Sequence, residues 1–196
     1  MTTIAFIRHG VTNWNLEARA QGQSDIPLNE EGLLQAKALG RRFEGEEWDT
    51  IYSSDLSRAK VTAESIGNVL NLPVQTDERL RELHWGEMEG TNEEERLERW
   101  GENWRDLDLN FEKEENILAR IKSFMDQVIH KHPDGRVIVV SHGALLNDLF
   151  TYLLEDYERC RFGNTSVSIF KFVNKKWEIQ LLNCSAHLAT IEDRKA

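Results

Sequence analysis

The chain has 196 residues, of which 40% are hydrophobic, and its net charge is −10. This length suits one compact domain with a sizeable core. An acidic chain is a poor candidate for binding nucleic acid, which is itself a polyanion, and no apolar run approaches the ~18 residues of a membrane span. Two cysteines, Cys160 and Cys184, form no CxxC pair and no disulfide framework. We therefore expect a cytoplasmic protein.

The first half of the chain predicts two strands, each followed by a helix. A short apolar run at Thr3–Arg8 is typical of a buried central strand. A loop is predicted over Asn13–Leu28, and Asn29 is a suitable N-cap for a helix with apolar residues at helical spacing. The next strand is predicted over Thr50–Ser53, and a second helix over Asp55–Leu70.

The second half continues this alternation. The predicted elements are a strand at Val74–Thr76, a helix at Glu114–Lys131, a strand at Arg136–Ser141 and a helix at Gly143–Leu154. Two last strands, Ser166–Val173 and Trp177–Leu182, are predicted to form an antiparallel hairpin. Strands that alternate with helices predict an α/β fold, here a three-layer α/β/α sandwich around a mostly parallel central sheet.

One segment differs in composition from the rest. Residues 87–115 hold twelve acidic side chains against four basic ones, and the Thr91-Asn92-Glu93-Glu94 spacing predicts a capped helix that starts at Thr91. The sequence has no repeat and no Pro/Gly-rich linker, so we predict a single domain over 1–196 with a small acidic cap insertion at about 84–115. Three tryptophans of the cap are expected to pack in a small core, or to form an apolar wall for the leaving group: Trp85, Trp100 and Trp104.

Two predicted strands end in a histidine followed by a glycine, at His9-Gly10 and His142-Gly143. Ligands of parallel sheets bind beyond the carboxyl ends of the strands, and Arg8 and Arg58 are predicted at the same rim. Arginine forks suit phosphate. The two glycines let a ligand approach the backbone, and Gly143 opens a helix whose N-terminus favours an anion. The rim therefore predicts an anion site.

These residue types suit phosphoryl transfer better than metal binding. Histidines and carboxylates can bind zinc, but the sequence has no HExxH or HxH pattern and two arginines would repel a dication, so we predict no metal and no cofactor. A neutral imidazole can attack phosphorus and form a phosphohistidine. A second imidazole, protonated, can join the arginines in stabilising the transition state. The remaining requirement is an acid for the leaving group.

Further motifs follow one another along nearly the whole chain. In order they are Arg8-His9-Gly10, Asn15, Gln21-Gly22, Asp25 with Pro27-Leu28, Glu31-Gly32, Ser54 to Ala59, Thr62-Ala63, Leu80 to Leu83, Gly86, Glu89-Gly90, Ser141-His142-Gly143, Asn183 and His187-Leu188. This ordered set resembles the histidine phosphatase superfamily, which has the phosphoglycerate mutase-like fold. A lone RHG would carry little weight, whereas the ordered set is specific.

The resemblance implies a role for each matching residue. His9 would be the phosphorylated nucleophile, and Glu82 the general acid that protonates the leaving oxygen and later activates water. The residues that would hold the phosphoryl oxygens are Arg8, Arg58 and His142. The positions that match residues near the bound phosphate or substrate are Asn15, Gln21 and Gly22.

The resemblance leaves both phosphatase and mutase activity open. Mutases that use bisphosphoglycerate carry a longer, basic insertion between the acid and the second histidine, whereas here only 60 positions separate Glu82 from His142 and the segment is acidic. The chain resembles short bacterial broad-specificity phosphatases, so we predict metal-independent hydrolysis of small phosphorylated metabolites. The alternatives are a phosphoglycerate mutase, an α-ribazole phosphatase of cobalamin synthesis and a non-catalytic phospholigand-binding protein. The oligomeric state stays open.

Overall fold

A six-stranded sheet lies at the centre of the protein. The structure is a computed structural model that describes residues 1–189. The strands are β1 (Thr2–Arg8), β2 (Thr50–Ser53), β3 (Val74–Thr76), β4 (Arg136–Ser141), β5 (Val167–Val173) and β6 (Lys176–Cys184). Their order across the sheet is β3-β2-β4-β1-β5-β6. The first four are mutually parallel, while β5 is antiparallel to both β1 and β6. The predicted mostly parallel sheet with an antiparallel hairpin at one edge is confirmed.

Helices cover both faces of this sheet, which confirms the predicted three-layer sandwich. They are α1 (Asn13–Leu16), α2 (Glu30–Arg42), α3 (Ser57–Leu70), α4 (Glu93–Trp100), α5 (Glu114–Lys131) and α6 (Gly143–Leu153). Successive side chains of a strand point to opposite faces. In β1, Ile4 and Phe6 therefore pack with α5 and α6, whereas Ala5 and Ile7 pack with α2 and α3.

Local interactions explain where the main helices begin, end and meet. The side chain of Asn29 caps α2 by accepting a hydrogen bond from Gly32 N at 2.8 Å. Helix α3 ends where Asn71 takes the left-handed conformation, with φ of 54°. A Cβ on Gly40 would lie 2.4 Å from the carbonyl oxygen of Ser65, so α2 and α3 approach closely at this glycine.

Several predicted boundaries were wrong; β6, for example, ends at Cys184 and not at Leu182. The predicted loop contains α1, because Thr12 and Asn15 form a capping box that starts a single helical turn. Helix α4 is capped by Asn92 and not by Thr91, whose hydroxyl instead donates to Met88 O at 2.6 Å. Helix α3 begins at Ser57, two residues later than predicted, because the preceding Leu56 has an extended backbone.

The predicted acidic cap has an apolar cluster of its own. Met88, Trp104 and Leu109 are buried there, with Trp85 and Trp100 packed against them. Trp104 is 6% exposed, so its expected packing in a small core is confirmed. The division into one domain with a cap at about 84–115 stays a prediction, and residues 190–196 of that domain lie outside the described part. No helix within residues 1–189 is long and apolar enough to cross a membrane.

Candidate active site

The strand register brings the two predicted histidines together. Arg8, the last residue of β1, is paired with Ser141, the last residue of β4. The residue that follows each strand is a histidine, so both histidines lie at the same edge of the sheet. The backbone N–H of His9 donates to Ser141 O at 3.0 Å. The two imidazole rings lie with their centroids 5.1 Å apart, which places His9 and His142 in one site as the sequence predicts.

The surroundings of His9 fix its tautomer. Its Nδ1 lies 2.6 Å from Gly10 O, and a carbonyl oxygen only accepts, so Nδ1 carries the proton and the lone pair resides on Nε2. Burial and then the charges of Arg58 and Arg8 lower the pKa of His9 well below its usual range. The imidazole is therefore neutral at physiological pH, which is the state a nucleophile needs.

Arg58 is fully buried and held by two backbone carbonyls. Its Nη1 donates to Ser24 O at 2.8 Å and its Nη2 to Gly22 O at 2.7 Å. Helix α3 carries Arg58, and the loop that follows α1 holds its guanidinium in place. Burial lowers the pKa of Arg58 to about 10, and the nearby Glu82 carboxylate opposes that lowering. The guanidinium thus stays charged at neutral pH.

Arg8 is held in a similar way at the end of β1. Its Nη1 donates to Phe162 O at 2.6 Å, and burial lowers its pKa while Glu82 raises it. The exposed Arg161 lies close enough to lower the pKa of Arg8 as well. A Cβ on Gly143 would lie 3.4 Å from Arg8 Nε, so a small residue there leaves room beside this guanidinium.

His142 differs from its predicted state. Burial, followed by the charges of Arg58, His9 and Arg8, lowers the pKa of His142 well below its usual range. The imidazole is therefore neutral before an anion binds, whereas the sequence-based expectation was a protonated one. A neutral imidazole still has one N–H to donate to a phosphoryl oxygen.

Buried nitrogens without a partner converge at this rim. Six buried side-chain polar atoms lack a hydrogen-bond partner within residues 1–189, and four of them belong to the predicted site: Arg8 Nε, Arg58 Nε, His142 Nδ1 and His142 Nε2. Leaving a buried polar group unpaired costs about 1–3 kcal/mol. Two of these nitrogens belong to permanently charged arginines. The cluster therefore fits an anion that accepts several hydrogen bonds, as phosphate does.

Glu82 is docked on the helix that follows His142. Its Oε1 accepts from Leu145 N at 2.8 Å and from Leu83 N at 3.1 Å, and its Oε2 accepts from Ala144 N at 3.1 Å. The carboxylate thus binds the N-terminus of α6, where free N–H groups and the helix dipole favour a negative charge. The structure brings the predicted acid to the rim that holds both arginines.

Asn15 and Gln21 support the loop around His9. Asn15 Oδ1 accepts from Thr12 N at 3.1 Å and from Asn164 Nδ2 at 3.3 Å, and the same Asn164 Nδ2 donates to His9 O at 3.1 Å. The buried Gln21 accepts from the Thr12 hydroxyl at 3.0 Å. These contacts link both residues to the backbone of His9, and direct contact with phosphate stays a prediction for both.

Glu89 holds the loop that carries Gly22, a role that the sequence alone does not indicate. Its carboxylate accepts from Gln23 N at 3.0 Å and from Ser24 N at 2.9 Å. Gly22 has φ of +52°, and a Cβ there would lie 2.0 Å from Glu89 Oε1. Only the match of Glu89-Gly90 to the family pattern marked this position in the sequence.

Thr62 is a second supporting residue that the sequence alone does not indicate. Its hydroxyl accepts from Gly10 N at 3.0 Å and donates to Arg58 O at 2.7 Å, so it joins the backbone of the residue after His9 to that of the buried arginine. Within residues 1–189, no group of three or more histidine, cysteine or acidic side chains is arranged to hold a metal ion.

Comparison with known proteins identifies the family. Residues 4–185 match the model of the histidine phosphatase superfamily, branch 1. The chain belongs to this superfamily. The histidine phosphatase match spans β1 through β6 and so includes every residue of the predicted site.

Individual histidine phosphatases support the same assignment. The phosphatase PhoE of Bacillus subtilis (strain 168) is 35% identical over 192 residues, covering 96% of this chain and 98% of the relative. A metal-independent phosphoserine phosphatase of Arabidopsis thaliana is 33% identical, covering 97% and 85%. Other relatives, also 33% identical, are named probable phosphoglycerate mutases. The solved structure of Bacillus stearothermophilus YhfR superposes with a TM-score of 0.85 at 29% identity, covering 96% and 100%.

Proposed function

We propose that this protein is a phosphatase that hydrolyses small phosphate monoesters through a phosphohistidine on His9, without a metal or cofactor. The observation that carries the proposal is the arrangement around His9: a neutral imidazole with its lone pair on Nε2, beside His142 and unpaired nitrogens of Arg8 and Arg58. Family membership supports the same reaction class.

In the first half-reaction, His9 Nε2 attacks phosphorus and the bond from phosphorus to the ester oxygen breaks. Arg8, Arg58 and His142 donate hydrogen bonds to the phosphoryl oxygens and stabilise the charge that develops there. In the proposed step, the docked carboxylate of Glu82 first takes up a proton from solvent and then gives it to the departing oxygen, so that an alcohol leaves. The products are the alcohol, a phosphohistidine and the Glu82 carboxylate.

In the second half-reaction, the carboxylate of Glu82 takes a proton from a water molecule while the water oxygen attacks phosphorus. The N–P bond breaks, inorganic phosphate leaves, and the lone pair returns to His9 Nε2. Glu82 is again protonated and the cycle closes. The two half-reactions therefore use one carboxyl group as acid and then as base.

The substrate class is a small phosphorylated metabolite. Relatives named phosphoserine phosphatases support this class, and we propose no nucleic-acid partner because the chain is acidic. A cytoplasmic location is part of the proposal, supported by two cysteines that are free. A solved structure from Escherichia coli, described as that of a putative α-ribazole-5′-P phosphatase, is 24% identical to this chain and therefore shows only the shared fold.

Phosphoglycerate mutase is the second candidate, favoured by the relatives of that name. A mutase must also hold the substrate carboxylate. The cap segment that would face this group carries an excess of acid, which repels a second anion. Hydrolysis is therefore the better supported of the two activities.

A panel of phosphomonoesters, assayed with EDTA throughout and with or without bisphosphoglycerate, tests these candidates. The proposal predicts EDTA-resistant phosphate release by the wild type and none by His9→Ala. Isomerisation of phosphoglycerate without net hydrolysis would make the protein a mutase. If the protein binds phosphate but turns over no ester, it is a non-catalytic phospholigand-binding protein.

A further inference from the structure

The segment that carries Glu82 is held by one side chain of another element. Residues 81–85 form no helix or strand, yet their carbonyls are not left to solvent. Arg120 of α5 donates from Nη1 to Arg79 O at 2.8 Å and to Arg81 O at 2.7 Å, and from Nη2 to Glu82 O at 3.3 Å. A single guanidinium therefore bonds the backbone on the N-terminal side of Glu82 and at Glu82 itself.

Glu112 fixes this guanidinium and also reaches the other side of Glu82. Arg120 Nε donates to Glu112 Oε1 at 2.8 Å and Arg120 Nη2 to Glu112 Oε2 at 2.9 Å, a two-point ion pair. Glu112 Oε2 also accepts from His84 N at 3.2 Å. Both side chains are mostly buried, with 14% of Arg120 and 12% of Glu112 exposed. The pair holds the backbone before and after Glu82, and we call this pair the clamp.

This clamp is continuous with the active site. The carboxylate of Glu82 binds the N-terminus of α6, and its backbone carbonyl also accepts from Gln23 Nε2 at 3.1 Å. The charge of Arg120 is close enough to contribute to the lowered pKa of His142. No hydrogen bond of Arg120 goes to His9, Arg8 or Arg58 in the part of the chain that the structure describes.

We propose that Arg120, held by Glu112, is a positioning residue for the general acid Glu82. The inference rests on the proposed function, because it presupposes that Glu82 protonates the leaving oxygen. Proton transfer requires the acid within hydrogen-bond reach of the reacting atom, and misplacement of a catalytic group by about 1 Å can cost about a hundredfold in rate. Loosening the clamp should therefore impair the proton-dependent step and spare attack by His9.

The test compares kcat/KM for esters with different leaving groups, since kcat/KM reports the steps up to phosphoryl transfer. The substrates are 2,4-dinitrophenyl phosphate, whose leaving group needs no proton, and glycerol phosphate, whose alkoxide does. The variants are Arg120→Lys, which keeps the charge and loses the fork, and the milder Glu112→Gln. The matched control is Arg96→Lys, because buried Arg96 also bonds a backbone carbonyl, that of Thr91, but not in the Glu82 segment.

Arg120→Lys should lower kcat/KM for glycerol phosphate by about tenfold or more and that for 2,4-dinitrophenyl phosphate by less than about threefold. Arg96→Lys should change the ratio of the two values by less than about twofold. Equal losses on both esters, or no loss, in variants that keep their thermal unfolding transition would overturn the inference. If Arg120→Lys does not fold, the same ratio in Glu112→Gln decides. Failure of the wild type to hydrolyse either ester would instead overturn the proposed function.

Discussion

The carboxylate of Glu82 accepts a hydrogen bond from Leu145 N at 2.8 Å, which docks this group on the helix that begins directly after His142. The proposed acid and the second histidine are thereby joined through one helix N-terminus. His142 in turn lies 5.1 Å from His9, measured between ring centroids. The proposed acid, phosphate-binding imidazole and nucleophile are thus connected through β1, β4 and the start of α6.

The proposed role of Glu82 as the general acid predicts that the activity lost in a Glu82 variant depends on the leaving group. Glu82→Gln removes the transferable proton, so kcat/KM for alkyl phosphates should fall by about a hundredfold or more, while that for 2,4-dinitrophenyl phosphate changes little. Steady-state assays over a series of leaving groups measure this as a steeper dependence on leaving-group pKa. Glu87→Gln, an exposed acid of the same region, is the control. Equal losses across the series would contradict the assignment of Glu82.

Stability should depend on pH through the buried histidines. The pKa of His9 and of His142 is lowered on folding, so below about pH 6.5 the unfolded chain binds protons that the folded protein does not. The free energy of unfolding should therefore decrease as the pH falls below about 6.5. Urea unfolding at several pH values between 7.5 and 5 measures the decrease.

His142→Asn provides the comparison for this pH dependence. Removing one of the two buried imidazoles should make the loss of stability on acidification smaller than in the wild type, whatever the effect on stability at pH 7.5. An unchanged slope between pH 6.5 and 5 would show that His142 is not held neutral.

Gly22 should be important for activity because its φ is positive and because the Glu89 side chain lies against it. Gly22→Ala places a methyl 2.0 Å from Glu89 Oε1 at φ of +52°, so either the Glu89 carboxylate or the loop must shift. Because that carboxylate binds Gln23 N and Ser24 N, either shift disturbs the loop carbonyls that bind Arg58. We expect kcat/KM to fall at least about tenfold, with a loss of about 1–3 kcal/mol in the free energy of unfolding.

Gly45→Ala is the matched control for this substitution. Gly45 also has a positive φ, +79°, but a Cβ there would meet nothing within 4 Å. The variant should lose about 1 kcal/mol of stability and keep its activity. Full activity in Gly22→Ala, measured on the same ester, would show that the loop does not position Arg58.

The strands and the histidines that directly follow two of them could be predicted because each depends on residues close in sequence, whereas Glu82 was indicated only by the resemblance to the family pattern. The apolar segments that are followed by His9 and His142 indicate both the buried strands and the candidate site at their ends. The supports of the site could not be predicted in this way. Arg58 binds the carbonyl of Gly22, and Arg120 binds that of Arg81, across 36 and 39 positions. Such contacts exist only once the layers have packed.

The neutral state of His142 is a further consequence of packing. The sequence predicts His142 at the same rim of the sheet as Arg8 and Arg58, and that prediction does not reveal whether the imidazole is exposed or buried. In the structure His142 is fully buried, and burial is the largest cause of its lowered pKa. The predicted residue was placed as expected, whereas its protonation state depended on the tertiary structure.

The most direct test of the central claim is to look for the phosphoryl group on His9 during turnover. Rapid mixing with 2,4-dinitrophenyl phosphate, quenching in alkali and mass spectrometry of the peptides should find an acid-labile, alkali-stable phosphoryl group on the peptide that contains His9. His9→Ala should show neither this adduct nor turnover. Turnover by His9→Ala, or a phosphoryl group on another residue, would contradict the account.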